Sequence, residues 1–351
     1  MASFLLFLAD AMRLACLALA LFGLVGCASV VDVEPVNIAT SVLPKQSPII
    51  GDAGSDDMVL GLAFSGGGTR AAAFAHGVLE ELEATRIGRG RSLVETVDVV
   101  SGVSGGSVTA AYFALKGRAA LADFRERFPL RNVVADLKTD IDLANILTAW
   151  RYGVVNDRKG LPRWLDANLF DGATFGTLGA RPGLTLLVNA SDIYNRIPFV
   201  FSYETFNALC SDLDRYPLAD AVAASAAVPV AFTPVVLRSY PQACDYATPF
   251  WMERTLAATD PASLGLRALA EGLKRYRDAE VMRYVKLVDG GVTDNFGLQG
   301  FILSRAAAKN AYRPPTPGRA VRLRRFVFSS STPGVGRAAS GRRRPSAPPA
   351  R

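Results

Sequence analysis

Twice between residues 59 and 115, a short apolar run breaks off into glycines and helix formers follow at once. Val59-Leu-Gly-Leu-Ala-Phe64 leads into Ser65-Gly66-Gly67-Gly68 and then a helix expected over Ala71–Leu82. Thr96-Val-Asp-Val-Val100 leads into Gly102-Val103-Ser104-Gly105-Gly106 and a helix expected over Ser107–Leu115. A continuous apolar run suits a strand covered on both faces. Strand, glycine turn and helix repeated in that order imply parallel strands joined by right-handed crossovers, an α/β fold.

The rest of the chain extends the pattern. Leu184–Asn189, Phe199–Ser202 and Tyr284–Val288 read as further strands, and Leu218–Val228 as an alanine-rich helix stopped by Pro229. A last helix, Leu298–Ala311, precedes Pro314-Pro315. Residues 118–180 and 239–283 read as irregular insertions; the first, with Trp150 and Trp164, is mostly helical and long enough to cap a site.

The net charge of +7 belongs to one end. Residues 313–351 carry ten arginines and no acid, leaving 29 of the 39 basic residues against all 32 acidic ones, a body at −3. A slightly acidic body with a basic end argues against nucleic acid as partner. That end reads as a disordered Arg/Pro/Ser/Gly tail attracted to anionic headgroups, or as a shifted reading frame. In GC-rich codons moved by one nucleotide, Ser329–Gly336 becomes Val-Val-Asp-Ala-Gly-Arg-Gly, a better continuation of the strand begun by Arg325-Phe-Val-Phe328.

At the other end, the apolar run Leu14–Gly26 follows Arg13 and stops at Cys27. It is short for a bilayer span and suits the core of a signal peptide starting at Met1 or Met12. Leu24-Val25-Gly26-Cys27 resembles the bacterial lipobox. Residues 1–27 are thus expected to be a lipoprotein signal, with Cys27 acylated, and 28–57 a tether; a cleaved secretory signal is the alternative. Ala28 after the cysteine points to the outer membrane, facing the periplasm. Outside the cytoplasm, Cys210 and Cys244 either pair or remain two buried thiols.

Ser104 carries the chemistry. A serine between glycines, after a strand and before a helix, is the nucleophile-elbow pattern: the turn is sharp and Oγ projects above the sheet. The Gly66-Gly67-Gly68 loop lets backbone N–H groups face an anion. It lacks the Gly-Lys-Ser/Thr of a phosphate loop and does not fit G-x-G-x-x-G. Asp289-Gly290-Gly291 follows a strand, where open α/β sheets place their sites. The chain has one histidine, His76, and none follows Ser104, so the usual Ser–acid–His order is excluded. A carboxylate is the base that remains, workable if burial raises its proton affinity. Four cysteines and one histidine give no zinc spacing, and no metal or cofactor is expected.

Taken in order, Gly66-Gly67-Gly68-Thr69-Arg70, Gly102-Val103-Ser104-Gly105-Gly106 and Asp289-Gly290-Gly291 resemble the patatin-like phospholipase family over residues 58–312. The resemblance implies a three-layer α/β/α sandwich with a mostly parallel central sheet. It implies a lipid acyl hydrolase whose substrate is a membrane lipid or other acyl ester. In those roles Ser104 is the nucleophile, Asp289 the base, and the Gly66–Gly68 backbone the oxyanion hole. Arg70, Gly102, Gly106, Gly290 and Gly291 complete the motifs, although Ala71 stands where the family usually has glycine. Ala224-Ser225-Ala226-Ala227-Val228-Pro229 resembles a further family block, read as structural. The rival readings are a non-catalytic envelope lipoprotein and a serine peptidase.

Overall fold

A computed structural model describes residues 34–43, 50, 57–133 except 89, 137, 160–308 except 180–182, 230–231 and 260–262, and 315–333. Cys27, Trp150, most of the tether and the chain after residue 333 lie outside them.

The strands are β1 (Met58–Phe64), β2 (Arg86–Ile87), β3 (Arg91–Ser92), β4 (Val97–Val103), β5 (Thr185–Asp192), β6 (Ile197–Val200), β7 (Val235–Arg238), β8 (Tyr284–Asp289) and β9 (Arg325–Ser331). The helices are α1 (Gly68–Ala84), α2 (Gly105–Lys116), α3 (Ala120–Arg127), α4 (Gly160–Leu165), α5 (Phe175–Gly179), α6 (Tyr203–Ala208), α7 (Leu218–Ser225), α8 (Phe250–Ala257), α9 (Leu264–Tyr276), α10 (Gln299–Ala307) and α11 (Pro317–Ala320). The main sheet runs β7-β8-β5-β4-β1-β9, with β6 also paired to β5, while β2 and β3 form a small ribbon of their own. β9, β1, β4 and β5 are parallel; β8 and β7 close the far side antiparallel.

The period of two along β1 divides its side chains between two layers. Leu60, Leu62 and Phe64 enter the larger core with Ala72, Leu79 and most of α2. Val59 joins Val99 and Leu187 on the opposite face, covered by Phe301 and Leu323. The sheet is therefore buried on both sides, which gives the three layers. Gly61 has a packing reason, since a Cβ there would lie 2.5 Å from the Phe328 ring on β9.

Two segments are more ordered than their composition implied. Residues 239–283, read as irregular, contain α8 and α9, the latter capped by the Ser263 hydroxyl. Residues 315–331, placed in the tail by their arginines, belong to the sheet: β9 pairs with β1 over seven residues, to Ser331. Arg319 in α11 is 3% exposed and bonds Asp98 at 2.7 Å, while Asp98 also accepts the Leu60 N–H at 3.0 Å. Counting charge could not separate this buried, paired arginine from its solvated neighbours.

Cys210 and Cys244 are joined, closing a loop with a sequence separation of 34. A cross-link of that span restricts the unfolded chain and contributes about 3–4 kcal/mol. Replacing both cysteines by alanine should lower the unfolding free energy by about that amount in urea titrations. Unchanged midpoints would mean that the bond does not form.

Candidate active site

β4 delivers Ser104 to the C-terminal end of the parallel strands. The residue has φ 50 and ψ −123, a conformation a side chain-bearing residue adopts only when its surroundings enforce it. Glycines on both sides make that possible. A Cβ on Gly105 would lie 1.9 Å from the Gly68 carbonyl oxygen, and one on Gly106 2.4 Å from that of Phe64. On Gly102 it would lie 2.5 Å from the Ser107 Cα. The elbow, the first turn of α2 and the glycine loop are thus packed backbone against backbone. Ser107 closes the turn, its N–H and hydroxyl donating to the Ser104 carbonyl at 2.9 and 2.6 Å.

Asp289 arrives at the end of β8. Both it and Ser104 are nearly buried, 8% and 7% exposed, and the Ser104 hydroxyl lies near enough to the Asp289 carboxylate to favour its charged form. The Gly291 N–H donates to Asp289 Oδ1 at 2.7 Å. Burial pushes the Asp289 carboxyl above the usual carboxylate range, and the neighbouring Ser104 hydroxyl and Gly291 N–H offset only part of the rise. Gly290 packs on the Asn189 backbone, where a Cβ would come within 2.2 Å of the carbonyl oxygen.

The three loop glycines are not equivalent. Gly66 is buried and its N–H donates to the Asn295 carbonyl at 3.1 Å, which takes it away from an oxyanion. Gly67, with φ 141, and Gly68, with φ 63, are exposed at the N-terminus of α1, where N–H groups have no intrahelical acceptor. The oxyanion role expected of all three therefore narrows to Gly67 and Gly68. Arg70 follows on the exposed first turn of α1. His76 lies elsewhere in α1, buried against the Phe124 ring (centroids 5.4 Å) with Nδ1 3.7 Å from Glu80.

Sequence reading missed three supporting residues. The Ser104 N–H donates to Ser225 Oγ. Asn189 Nδ2 donates to Ser101 Oγ at 2.8 Å and to the Gly102 carbonyl at 2.9 Å, bracing the strand just before the elbow. Asn295 stands beside Gly66 and Gly291; Cβ atoms built there would lie 2.4 and 2.9 Å from its Oδ1. Only Ser225 had a signal, the alanine-rich block around it. Among the described residues no group of His, Cys, Asp and Glu could hold a metal ion.

Fold and site together define an α/β/α protein with an elbow serine beside a buried aspartate at the sheet's C-terminal edge. The family model for patatin-like phospholipase matches residues 62–302, and the chain belongs to that family, one of lipid acyl hydrolases. The crystal structure of VipD from Legionella pneumophila matches with a TM-score of 0.34 and 14% identity, covering 78% of this chain and 52% of that one. This chain thus spans about half the length of VipD. No curated protein matches the sequence.

Proposed function

We propose that the chain is a serine hydrolase of lipid acyl esters, of phospholipase A or lysophospholipase type, acting through a Ser104–Asp289 dyad. The observation that carries this reading is the strained, nearly buried Ser104 with its hydroxyl beside a buried carboxylate of raised proton affinity. Asp289 takes that proton as Oγ attacks the ester carbonyl carbon. The Gly67 and Gly68 N–H groups stabilise the oxyanion, each such donor contributing about 10²–10³ in rate. Collapse of the tetrahedral intermediate expels the alcohol, which leaves with the proton held by Asp289. Water, deprotonated by Asp289, then cleaves the acyl-serine and restores the hydroxyl.

The reading includes a place. The chain is held in the bacterial envelope, facing the periplasm, through acylated Cys27. The Cys210–Cys244 bond suits that oxidising compartment. The test is product analysis of the full chain with phosphatidylethanolamine, lysophosphatidylethanolamine and a peptide substrate in parallel. Fatty acid release from the lipids alone supports the reading. Peptide cleavage alone makes the protein a peptidase, and no turnover or fluorophosphonate labelling leaves a non-catalytic lipoprotein.

The base also sets the pH dependence. Asp289 must be ionised to accept a proton, so kcat should rise with pH through a midpoint above the ordinary carboxylate value of 3.8. Between 3.8 and the raised value, the folded protein holds a proton that the unfolded chain has released. Through that window this group's contribution to stability falls as pH rises. Asp289→Asn should therefore abolish the rise in kcat and increase Tm at pH 7. An unaltered pH–rate profile in that variant would remove Asp289 from the mechanism.

A further inference from the structure

We infer that Ser225, at the C-terminal end of α7, is a positioning residue that sets the nucleophile's backbone against its base; this rests on the Ser104–Asp289 reading. Ser225 is fully buried and its hydroxyl is used twice. It accepts the Ser104 N–H at 2.9 Å and donates to the Asn189 carbonyl at 2.6 Å. That carbonyl abuts Gly290, the residue after Asp289. Two residues beyond Ser225, the Ala227 carbonyl accepts the Asp289 N–H at 2.9 Å. The end of one helix thus holds the elbow through a side chain and the aspartate through its backbone.

The chemistry requires a hydroxyl here. Ser225 interrupts Ala223-Ala224 and Ala226-Ala227, and only a group with both donor and acceptor capacity can link an N–H to a carbonyl. Relaxation of Ser104 from φ 50 would withdraw its N–H from Ser225 and leave a buried donor unsatisfied. Ser225 thereby holds the turn in its strained form, which keeps the Ser104 side chain on the side of Asp289. The same bond occupies the Ser104 N–H, so oxyanion donation falls to the glycine loop.

The test compares full-length wild type, Ser225→Ala and Ser225→Cys on p-nitrophenyl butyrate, with active sites titrated by a fluorophosphonate and crystal structures of wild type and Ser225→Ala. Misplacing reacting atoms by about 1 Å can cost on the order of 10² in rate, so Ser225→Ala should lose about that factor in kcat per titrated site. KM should stay within about twofold, and Ser225→Cys, retaining a weak donor and acceptor, should recover part of the loss. Unchanged kcat per titrated site overturns the inference, because a merely structural role lowers only the number of competent molecules. Persistence of the Ser104 conformation and of its placement beside Asp289 in the Ser225→Ala crystal also overturns it. If wild type is not labelled at all, the hydrolase reading fails, and the crystal comparison still decides whether Ser225 holds the turn.

Discussion

Ser104→Ala should reduce turnover of an acyl ester by at least about 10³-fold while leaving the fold intact. Alanine keeps the Cβ, so the backbone strain is unchanged and the N–H still reaches Ser225. The only losses are the attacking oxygen and its influence on the neighbouring Asp289 carboxylate. Ser104→Gly separates the two roles of the residue. Glycine tolerates φ 50, so this variant should be as inactive yet more stable than Ser104→Ala by about 1 kcal/mol. Circular dichroism melts and fluorophosphonate labelling of the three proteins check both statements. Residual hydrolysis at wild-type rate in either variant removes Ser104 as nucleophile.

Among the described glycines, Gly105→Ala should be the most damaging substitution. The added carbon would sit 1.9 Å from the Gly68 oxygen, 2.6 Å from its carbonyl carbon and 2.9 Å from its Cα. All three are backbone atoms, so no side chain can swing aside. The start of α2 and the glycine loop must separate by about 1 Å, a displacement that can cost on the order of 10² in rate. Overpacking of this kind also costs about 1–3 kcal/mol, and more where nothing can relax. The control is Gly77→Ala in α1, where a Cβ meets nothing within 4 Å. That change should stabilise by about 0.5–1 kcal/mol with activity unaltered. Equal effects of the two substitutions in urea titrations and ester assays would contradict the packing described at the elbow.

The parts legible in sequence were those written locally. A strand running into glycines and then helix formers fixes the elbow and the glycine loop within a few residues, and Asp289 follows from its place at a strand end. The absence of any histidine after Ser104 leaves a carboxylate as the base, and the structure places the Asp289 side chain beside that of Ser104. What could not be read depends on distant pairing. Ser225 meets Ser104 across 121 positions and Arg319 meets Asp98 across 221; nothing near either serine or arginine announces its partner. The engagement of the Gly66 N–H by Asn295 is of the same kind, set by how two loops meet. Composition misled where it averaged over an element: the Arg/Pro/Ser/Gly content after Phe328 reads as disorder, yet the strand begun at Arg325 stays paired with β1 to Ser331.

That strand has a consequence for the order in which the site is completed. β1 enters the glycine loop, and its outer edge is completed by β9, whose Ser331 carbonyl accepts the Ser65 N–H at 3.1 Å beside that loop. The last of the described strands therefore finishes the first. While a ribosome still holds residues 325–331, β1 lacks its outer partner and the loop lacks its neighbour. A site built this way is completed only after the strand that closes the sheet's edge has left the ribosome.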